Sequence, residues 1–254
     1  MKKVLQVLNG IAFVSVVFIN YLSNTGVMNG RTIGSLSDTI RSLFTPAGYA
    51  FSIWGLIYTF LLGFIIYQGR SLFVKVKNDD FVEKIGFWFI ISCIANSAWV
   101  FFWIYEYIGI SCICIFLLLF SLLKIVMNNS MQLQNVKKSK LLLVVLPFVI
   151  YSGWVTVASV ANVSSYLVKI DWNGFGISAE IWTIIMIIIA SLINIMVVFK
   201  RNMYAFAFVG AWALIAIGVA NNTSLNSITL VAYCAAGLLI IANIFKKYKT
   251  KISS

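Results

Sequence analysis

The sequence predicts an all-α fold, a polytopic integral membrane helix bundle with about eight transmembrane helices. Three observations predict it: the composition, the repeated apolar runs and the distribution of basic residues. Apolar types make up 61% and charged types 10% of the 254 residues, and the mean hydropathy is +0.98. A soluble domain is about 45–50% apolar and about 25% charged, so this chain has too little polar material to coat a water-soluble globule. The same figures exclude a disordered chain, collagen and a small disulfide scaffold.

The apolar runs have the length of membrane-spanning helices. A helix that crosses the hydrocarbon core needs roughly 20 apolar residues. We expect the first run to be an uncleaved signal-anchor helix, because no small-x-small cleavage site follows its long apolar stretch. No linker rich in Pro, Ser or Gly divides the runs, so we expect a single transmembrane domain over residues 1–254. The spans are predicted at residues 4–24, 47–68, 85–105, 108–127, 141–166, 178–199, 204–221 and 227–245.

The third and fourth predicted spans are nearly continuous in sequence. Their only polar interruption is Tyr105-Glu106-Tyr107, which Gly109 follows closely. A charge at the bilayer centre costs several kcal/mol, so Glu106 should lie at a membrane interface. The sequence therefore predicts a tight turn at this position.

The positions of the basic residues support the count of eight spans. With eight spans both termini lie on one side, and 16 of the 19 Lys and Arg fall there, whereas Arg31, Arg41 and Lys169 fall on the other side. The positive-inside rule then predicts a cell-membrane protein with both termini in the cytoplasm. The net charge of +12 becomes a topogenic signal with anionic lipid as its partner, and no nucleic acid is needed to explain it. The 16 residues are Lys2, Lys3, Arg70, Lys75, Lys77, Lys84, Lys124, Lys137, Lys138, Lys140, Lys200, Arg201, Lys246, Lys247, Lys249 and Lys251.

The residue types that are missing argue against metal and acid–base chemistry. The chain has no histidine, which is the commonest metal ligand and general base. Asp, Glu, Lys and Arg are absent from the middle of every span, which argues against ion-coupled transport. We therefore predict no metal site, no catalytic residue and no required cofactor. The four cysteines lie in apolar runs and are expected to be packing residues: Cys93, Cys112, Cys114 and Cys234.

Amide and indole side chains are the polar groups that remain inside the predicted spans. An amide in hydrocarbon needs a partner, so the simplest role for each Asn is contact between helices. Trp88, Trp172 and Trp182 suit the interfacial aromatic belt, whereas Trp54, Trp99 and Trp154 are deeper. A flat apolar ligand would favour several aromatic faces and a few amide donors. The interior amides are Asn9, Asn20, Asn96, Asn162 and Asn194.

The segment from Thr25 to Thr45 is the longest one predicted on the external side. Its residues Leu36, Ile40, Leu43 and Phe44 recur at helical spacing, which is typical of a short amphipathic helix on the outer surface. Two interpretations stay open here, a surface linker and a lid over an outward-facing pocket.

Three clusters of aromatic and amide residues carry a family resemblance. The clusters are Pro46, Trp54 and Tyr58 in the second span, Asn96, Trp99 and Trp103 in the third, and Tyr151, Trp154, Ala158 and Asn162 in the fifth. Their spacings resemble the motifs of the TspO/MBR family, also called tryptophan-rich sensory proteins or translocator proteins. Each cluster alone has little specificity, but the ordered set is fairly specific.

The resemblance covers residues 1–166, the five-helix extent of that family. The chain is therefore expected to be a longer, divergent member, with three additional transmembrane helices in residues 178–245 and a basic cytoplasmic tail at 246–254. Some positions depart from the family pattern and bear on the shape of the pocket. Thr45, Gly48, Ala50, Ser52 and Ile150 stand where the family has Pro, Trp, Phe, Pro and Pro.

The resemblance implies a binding site for a flat hydrophobic ligand. Family members bind porphyrins and other flat hydrophobic molecules in a pocket among the helices, beneath the first loop. The expected ligand is a porphyrin or tetrapyrrole, or a similar molecule. The residues expected to line the pocket are Trp54, Tyr58, Asn96, Trp99, Tyr151, Trp154 and Ala158.

The expected role is sensory or regulatory, with transport of small hydrophobic molecules across the membrane as the alternative. An enzyme is not expected, although some family members have been linked to porphyrin breakdown by light. The expected partners are a hydrophobic small molecule and membrane lipid, and a homodimer is left open.

Overall fold

The computed structural model describes residues 1–76, 79–131, 136–223 and 226–252, and these residues form helices and turns without a strand. Each of the eight predicted spans overlaps one long helix. Shorter helices, among them Ile33–Thr39 and Phe81–Ile85, lie in the connections. The long helices are α1 (Lys2–Leu22), α2 (Ile53–Gly69), α3 (Trp88–Ile104), α4 (Ile108–Asn128), α5 (Leu146–Lys169), α6 (Ala179–Arg201), α7 (Tyr204–Asn221) and α8 (Asn226–Ile252).

Seven of these helical segments are long and apolar enough to cross a membrane by themselves, and α3 is shorter. Its 17 residues give a length of about 25 Å, against a hydrocarbon core of about 30 Å. The short helix Phe81–Ile85 precedes α3, and Gly86 separates the two with a positive φ of 54°. The all-helical membrane bundle predicted from the sequence is confirmed.

The connection between α3 and α4 is a tight turn at the predicted place. Glu106 adopts the left-handed region with φ 63°, and α4 begins two residues later at Ile108. The Glu106 carboxylate lies 2.9 Å from the Arg31 guanidinium and 3.4 Å from the Lys169 ammonium. Glu106 thus ties together the three connections that meet at this end of the bundle.

Helix α5 lies at the centre of the bundle. In its span 67% of the residues are buried, against 22% in α6. It packs against α2, α4 and α7, and the π-helical turn Leu141–Val145 leads into it just before Pro147. Helices α6, α7 and α8 pack on one another. The C-terminal three helices therefore join the rest of the bundle mainly through the contact of α7 with α5.

Polar contacts close the face that carries the chain termini, which we call the terminal face. Lys2 lies 2.8 Å from Asp79, whose side chain is only 1% exposed, and Asn128 donates a hydrogen bond to the Lys84 carbonyl at 3.3 Å. A hydrogen bond from the Lys84 ammonium lowers the pKa of the Asp80 carboxyl below its ordinary value. Lys77 and residues 253–254 of the predicted tail lie outside the described residues, as does the side chain of Lys251.

A second set of contacts joins the connections at the opposite end, which we call the far face. Asn221 at the end of α7 donates to the Leu43 carbonyl at 3.0 Å, and Arg41 donates to the Ala220 carbonyl. Asn29 donates to the Ile104 carbonyl at 3.0 Å. The long first connection is thus attached both to α3 and to α7.

The helix Ile33–Thr39 lies over the far end of the bundle, and we call it the loop helix. Thr32 and Ser35 cap its first turn by reciprocal hydrogen bonds. Its apolar side chains Ile33 and Leu36 are buried at 5% and 0% exposure. The helix ends at Thr39, so of the predicted amphipathic pattern only Leu36 lies in it, and Ile40, Leu43 and Phe44 follow it. The burial of these apolar side chains holds the loop helix against the helices below it.

Helices α5 and α7 approach closely at Gly153. A Cβ atom at this position would stand 3.1 Å from the Phe206 carbonyl oxygen and 3.2 Å from the Val209 Cβ. Small residues allow such approaches between membrane helices. Gly153 therefore fixes the distance at which the C-terminal helices dock.

We expect Gly153→Leu to lower the stability of the purified protein by about 1–3 kcal/mol, because the added side chain overpacks the α5–α7 contact. The measurement is the midpoint of thermal unfolding in a mild detergent. Gly237→Leu on α8 is the matched control, since a Cβ there meets no atom within 4 Å. Equal midpoints for the two variants would contradict the close approach.

Candidate functional site

Trp54 is the centre of an aromatic cluster at the far end of the bundle. The chain reaches it through Pro46 and the 3₁₀ turn Gly48–Ser52, which leads directly into α2. Tyr58 is one turn further along the same face of α2. Its ring stacks on the Trp54 ring at 5.7 Å between centroids. Helical geometry alone therefore produces the first pair of the cluster.

Helices α3 and α5 supply the other aromatic neighbours of Trp54. The Trp99 ring of α3 stacks at 6.3 Å. From α5, the Tyr151 ring meets Trp54 edge-on at 5.7 Å and the Trp154 ring at 6.4 Å. Aromatic pairs in these stacked and edge-on arrangements contribute about 0.5–1.5 kcal/mol each beyond the burial of their area. Rings from three helices thus hold one another in place.

A chain of hydrogen bonds lies behind the rings and joins three helices. Asn20 of α1 donates to the Asn96 side-chain oxygen at 2.7 Å. Asn96 of α3, which is fully buried, donates to the Tyr151 hydroxyl of α5 at 3.0 Å. Membrane helices gain about 0.6–2 kcal/mol from such bonds. This chain of hydrogen bonds fixes the rotation of α1, α3 and α5 about their axes.

A second amide holds the Trp99 ring. The Trp99 indole donates to the Asn162 side-chain oxygen at 2.7 Å. The Asn162 nitrogen donates in turn to the Ser111 hydroxyl of α4 at 3.0 Å. Trp99 therefore has a fixed orientation with its hydrogen-bonding capacity used within the protein.

Two other indoles of the cluster are buried without a hydrogen-bond partner. The Nε1 atoms of Trp54 and Trp154 contact no acceptor within the described part of the chain. An unsatisfied buried donor costs about 1–3 kcal/mol. A ligand with an acceptor atom beside either indole would recover part of that free energy.

Two spaces adjoin Trp54, one on each side. A cleft of about 650 Å³ lies between α1 and α2 under the loop helix, and a core void of about 40 Å³ lies on the α5 side. Ligand pockets usually have about 300–1,000 Å³, whereas 40 Å³ suits about one water molecule. Trp54, Phe51 and Ile33 line both spaces. The cleft has the volume for an organic ligand and the void does not.

The structure brings all seven predicted site residues into one region but gives them different positions. Trp54 and Tyr58 line the cleft. Trp54, Trp99, Trp154 and Ala158 line the core void. Asn96 and Tyr151 line neither space, because they stand behind the rings and bond to each other. Of the seven predicted residues, only Trp54 and Tyr58 of α2 therefore face the cleft directly.

Several residues of this region were not among the predicted site residues. Phe51 and Ile33 line both spaces, and Asn20 and Asp38 line the cleft. The interior position of Asn20 already marked it as a polar group in need of a partner. Asp38 gave no such signal, because a carboxylate in a long surface connection is ordinary. It is the only charged residue among those lining the cleft.

The comparisons with known proteins agree with the aromatic motifs. Residues 6–245 match the family model described as TSPO-like protein. The chain belongs to this family. The match extends over all eight long helices of this TSPO-like protein, beyond the residues 1–166 that carry the motifs. No curated protein and no solved structure matches the chain.

The residue types around the cluster of this TSPO-like protein suit binding better than metal chemistry. The described residues contain no group of three or more Cys, Asp or Glu placed to hold a metal ion. The groups that face the cleft are aromatic rings, amides, hydroxyls and the Asp38 carboxylate. Such a lining offers stacking surfaces and hydrogen bonds to an uncharged, flat molecule.

Proposed function

We propose that this TSPO-like protein binds a flat, mostly apolar molecule of the porphyrin type in the cleft between α1 and α2. The observation that carries the proposal is the position of Trp54, whose ring separates the cleft from the packed aromatic core. The rings of Tyr58 and Trp99 stack on it at 5.7 and 6.3 Å. A planar guest that lies against Trp54 and Tyr58 would meet a wall that is already supported from behind.

The proposed role is sensory, with α1 as the moving part. At the terminal face α1 is tied down, because Asn9 bonds Gln68 of α2 at 3.0 Å and Lys2 pairs with Asp79. At the far end its residues Val17, Asn20 and Tyr21 line the cleft. A ligand that widens the cleft would tilt α1 about its fixed end. It would also disturb the bond from Asn20 to Asn96 and so affect α3 and α5.

The loop helix is the proposed lid of the site. Ile33 and Gly34 line the cleft, and the Trp103 indole donates to the Ile33 carbonyl at 3.3 Å. A bound ligand would therefore contact both the lid and the helices below it. Such a contact would change the exposure of the connection from Thr25 to Thr45, through which the protein would signal.

We expect Trp54→Ala to weaken binding of protoporphyrin IX by about tenfold or more, because one stacking face and its support are lost together. The measurement is a titration of the purified protein that follows the porphyrin absorbance band, so the lost indole does not affect the signal. Trp88→Ala is the matched control, since Trp88 packs on Phe120 at 5.6 Å and lines neither space. Unchanged affinity in Trp54→Ala would remove this site.

A flux experiment with the same purified protein distinguishes binding from transport. Sealed vesicles that contain the protein are loaded with porphyrin, and its release is followed with time. Binding without release supports the sensory role. Release that depends on the protein and is lost in Trp54→Ala would instead establish transport, the alternative function.

We expect Asp38→Asn to strengthen binding of protoporphyrin IX by about two- to threefold at low ionic strength. Protoporphyrin IX carries two carboxylates, and the substitution removes a like charge from the lining of the cleft. The gain should disappear at high salt, where exposed charges are screened. The uncharged dimethyl ester is the control and should bind both proteins equally. A gain of the same size for the ester would show that charge is not the cause.

We also propose that the terminal face is the cytoplasmic side of a cell membrane. The support is the 16 of 19 basic residues assigned to that face, where they would meet anionic lipid headgroups. A fluorescent protein that folds only in the cytoplasm should fluoresce when fused after the last residue. It should stay dark when inserted after Phe175 on the far face, and the reverse result would invert the topology.

A further inference from the structure

A crevice of about 830 Å³ lies between α5 and α6, apart from the ligand site proposed above. Phe116 and Leu119 of α4 line it, and Leu43 and Phe44 of the first connection contribute to its wall. None of its lining residues belongs to the cleft or to the core void. The crevice exists because α6 packs on α7 and α8, which leaves the flank of α5 uncovered.

The wall of the crevice is long and apolar. On α5 it extends from Val168 near the far face to Thr156, which is about 18 Å along a helix. Hydroxyls on both helices of the wall bond to their own backbone: Thr156 donates to the Ser152 carbonyl at 2.8 Å, and Thr183 of α6 donates to the Ala179 carbonyl at 2.8 Å. Hydroxyls that bond to their own helix leave a surface that suits an alkyl chain.

The end of the crevice at the far face has a different chemistry. Asp171, Trp172 and Trp182 line it there. The two indole rings lie 5.5 Å apart and are tilted by 47°. No ion pair involves Asp171 within the described residues, whereas Glu106 on the same face pairs with two basic side chains. A carboxylate beside two aromatic rings is a favourable environment for an organic cation.

The backbone conformation of the turn that carries these groups is fixed by hydrogen bonds. Asp171, Gly174, Phe175 and Gly176 all have positive φ values, between 50° and 80°. Several hydrogen bonds hold the turn, among them those from the Trp172 backbone to the Leu167 carbonyl at 3.1 Å and from the Trp182 indole to the Gly174 carbonyl at 2.9 Å. Phe175 is a bulky residue that rarely adopts this region. The aromatic rings and the carboxylate are therefore held at the mouth by the backbone.

We propose that the crevice binds an amphiphile with one alkyl chain and a positively charged amine headgroup. The alkyl chain of the ligand lies along Val160 and Val163 of α5. Its headgroup lies between the Asp171 carboxylate and the rings of Trp172 and Trp182. The charge at the mouth selects the headgroup, since a phosphate or carboxylate there would be repelled by Asp171. The apolar wall selects the tail.

The test uses two spin-labelled probes with the same hexadecyl chain and the same nitroxide. One carries a dimethylammonium headgroup and the other a phosphate. Each is titrated into nanodiscs of an uncharged galactolipid that contain the full-length protein, and electron paramagnetic resonance measures the motionally restricted fraction. We expect one saturable site per chain that binds the ammonium probe at least about fivefold more tightly than the phosphate probe.

Two variants assign that site to the crevice. Asp171→Asn should bring the two probes to nearly equal affinity. Val160→Trp should remove the saturable site, because the larger side chain fills the crevice. Asp38→Asn is the matched control, because it removes one carboxylate from the same face outside the crevice and should leave the preference unchanged.

The proposal is overturned if the wild-type protein restricts both probes equally, which would mean that the crevice takes any lipid chain. It is also overturned if Asp38→Asn lowers the preference as much as Asp171→Asn, or if Val160→Trp binds the ammonium probe normally while its helical circular dichroism matches that of the wild type.

Discussion

The need of buried amides for partners inside the membrane controls the arrangement of this bundle. Hydrocarbon offers no water to an unpaired polar group, so an interior Asn that bonds another helix restricts how its own helix can rotate. Asn20, Asn96 and Tyr151 form one chain across α1, α3 and α5. Asn162 joins the Trp99 ring to α4. Dispersion contacts between apolar side chains are permissive by comparison, because Leu and Ile pack equally well against lipid or helix. The amides therefore supply the specificity that places the Trp54 cluster.

Two positions where the sequence departs from the family motifs lie in the turn on which α7 docks. Gly48 and Ala50 stand where larger aromatic residues are expected, and the 3₁₀ turn that contains them packs against α7. The Trp212 indole donates to the Ala50 carbonyl at 3.4 Å, and its ring meets Tyr49 at 5.2 Å. Trp212 of α7 thus places an aromatic ring beside the turn in which Gly48 and Ala50 stand where aromatic residues are expected. The C-terminal helices therefore support the turn whose residues Gly48, Phe51 and Ser52 line the cleft.

The sequence predicted what depends on helix geometry and missed what depends on the spacing between helices. Trp54 with Tyr58, and Tyr151 with Trp154, share a face because of the helical repeat, and the turn at Glu106 follows from the cost of burying its charge. Asn96 and Tyr151 were predicted to line the pocket, but they bond to each other behind it. The sizes of the cleft and the void depend on a few ångströms between helix axes, which no residue pattern specifies. The crevice at Asp171 had no sequence signal, because its wall consists of ordinary apolar residues.

The small volume of the core void bears on how a ligand could be sensed. Since the rings of Trp54, Trp99 and Trp154 already fill the space between α2, α3 and α5, a large guest cannot enter there without separating helices that amide bonds hold together. The cleft on the other side of Trp54 has α1 as one wall, and polar contacts hold α1 at its terminal end. At the far end the side-chain hydrogen bond from Asn20 to Asn96 joins α1 to α3. Under the proposed sensory role, a ligand in the cleft would move the far end of α1 and strain this one bond, whereas entry into the core void would separate three helices. A rigid aromatic core beside a helix that is held mainly at its other end would then suit the conversion of occupancy into a change of helix tilt.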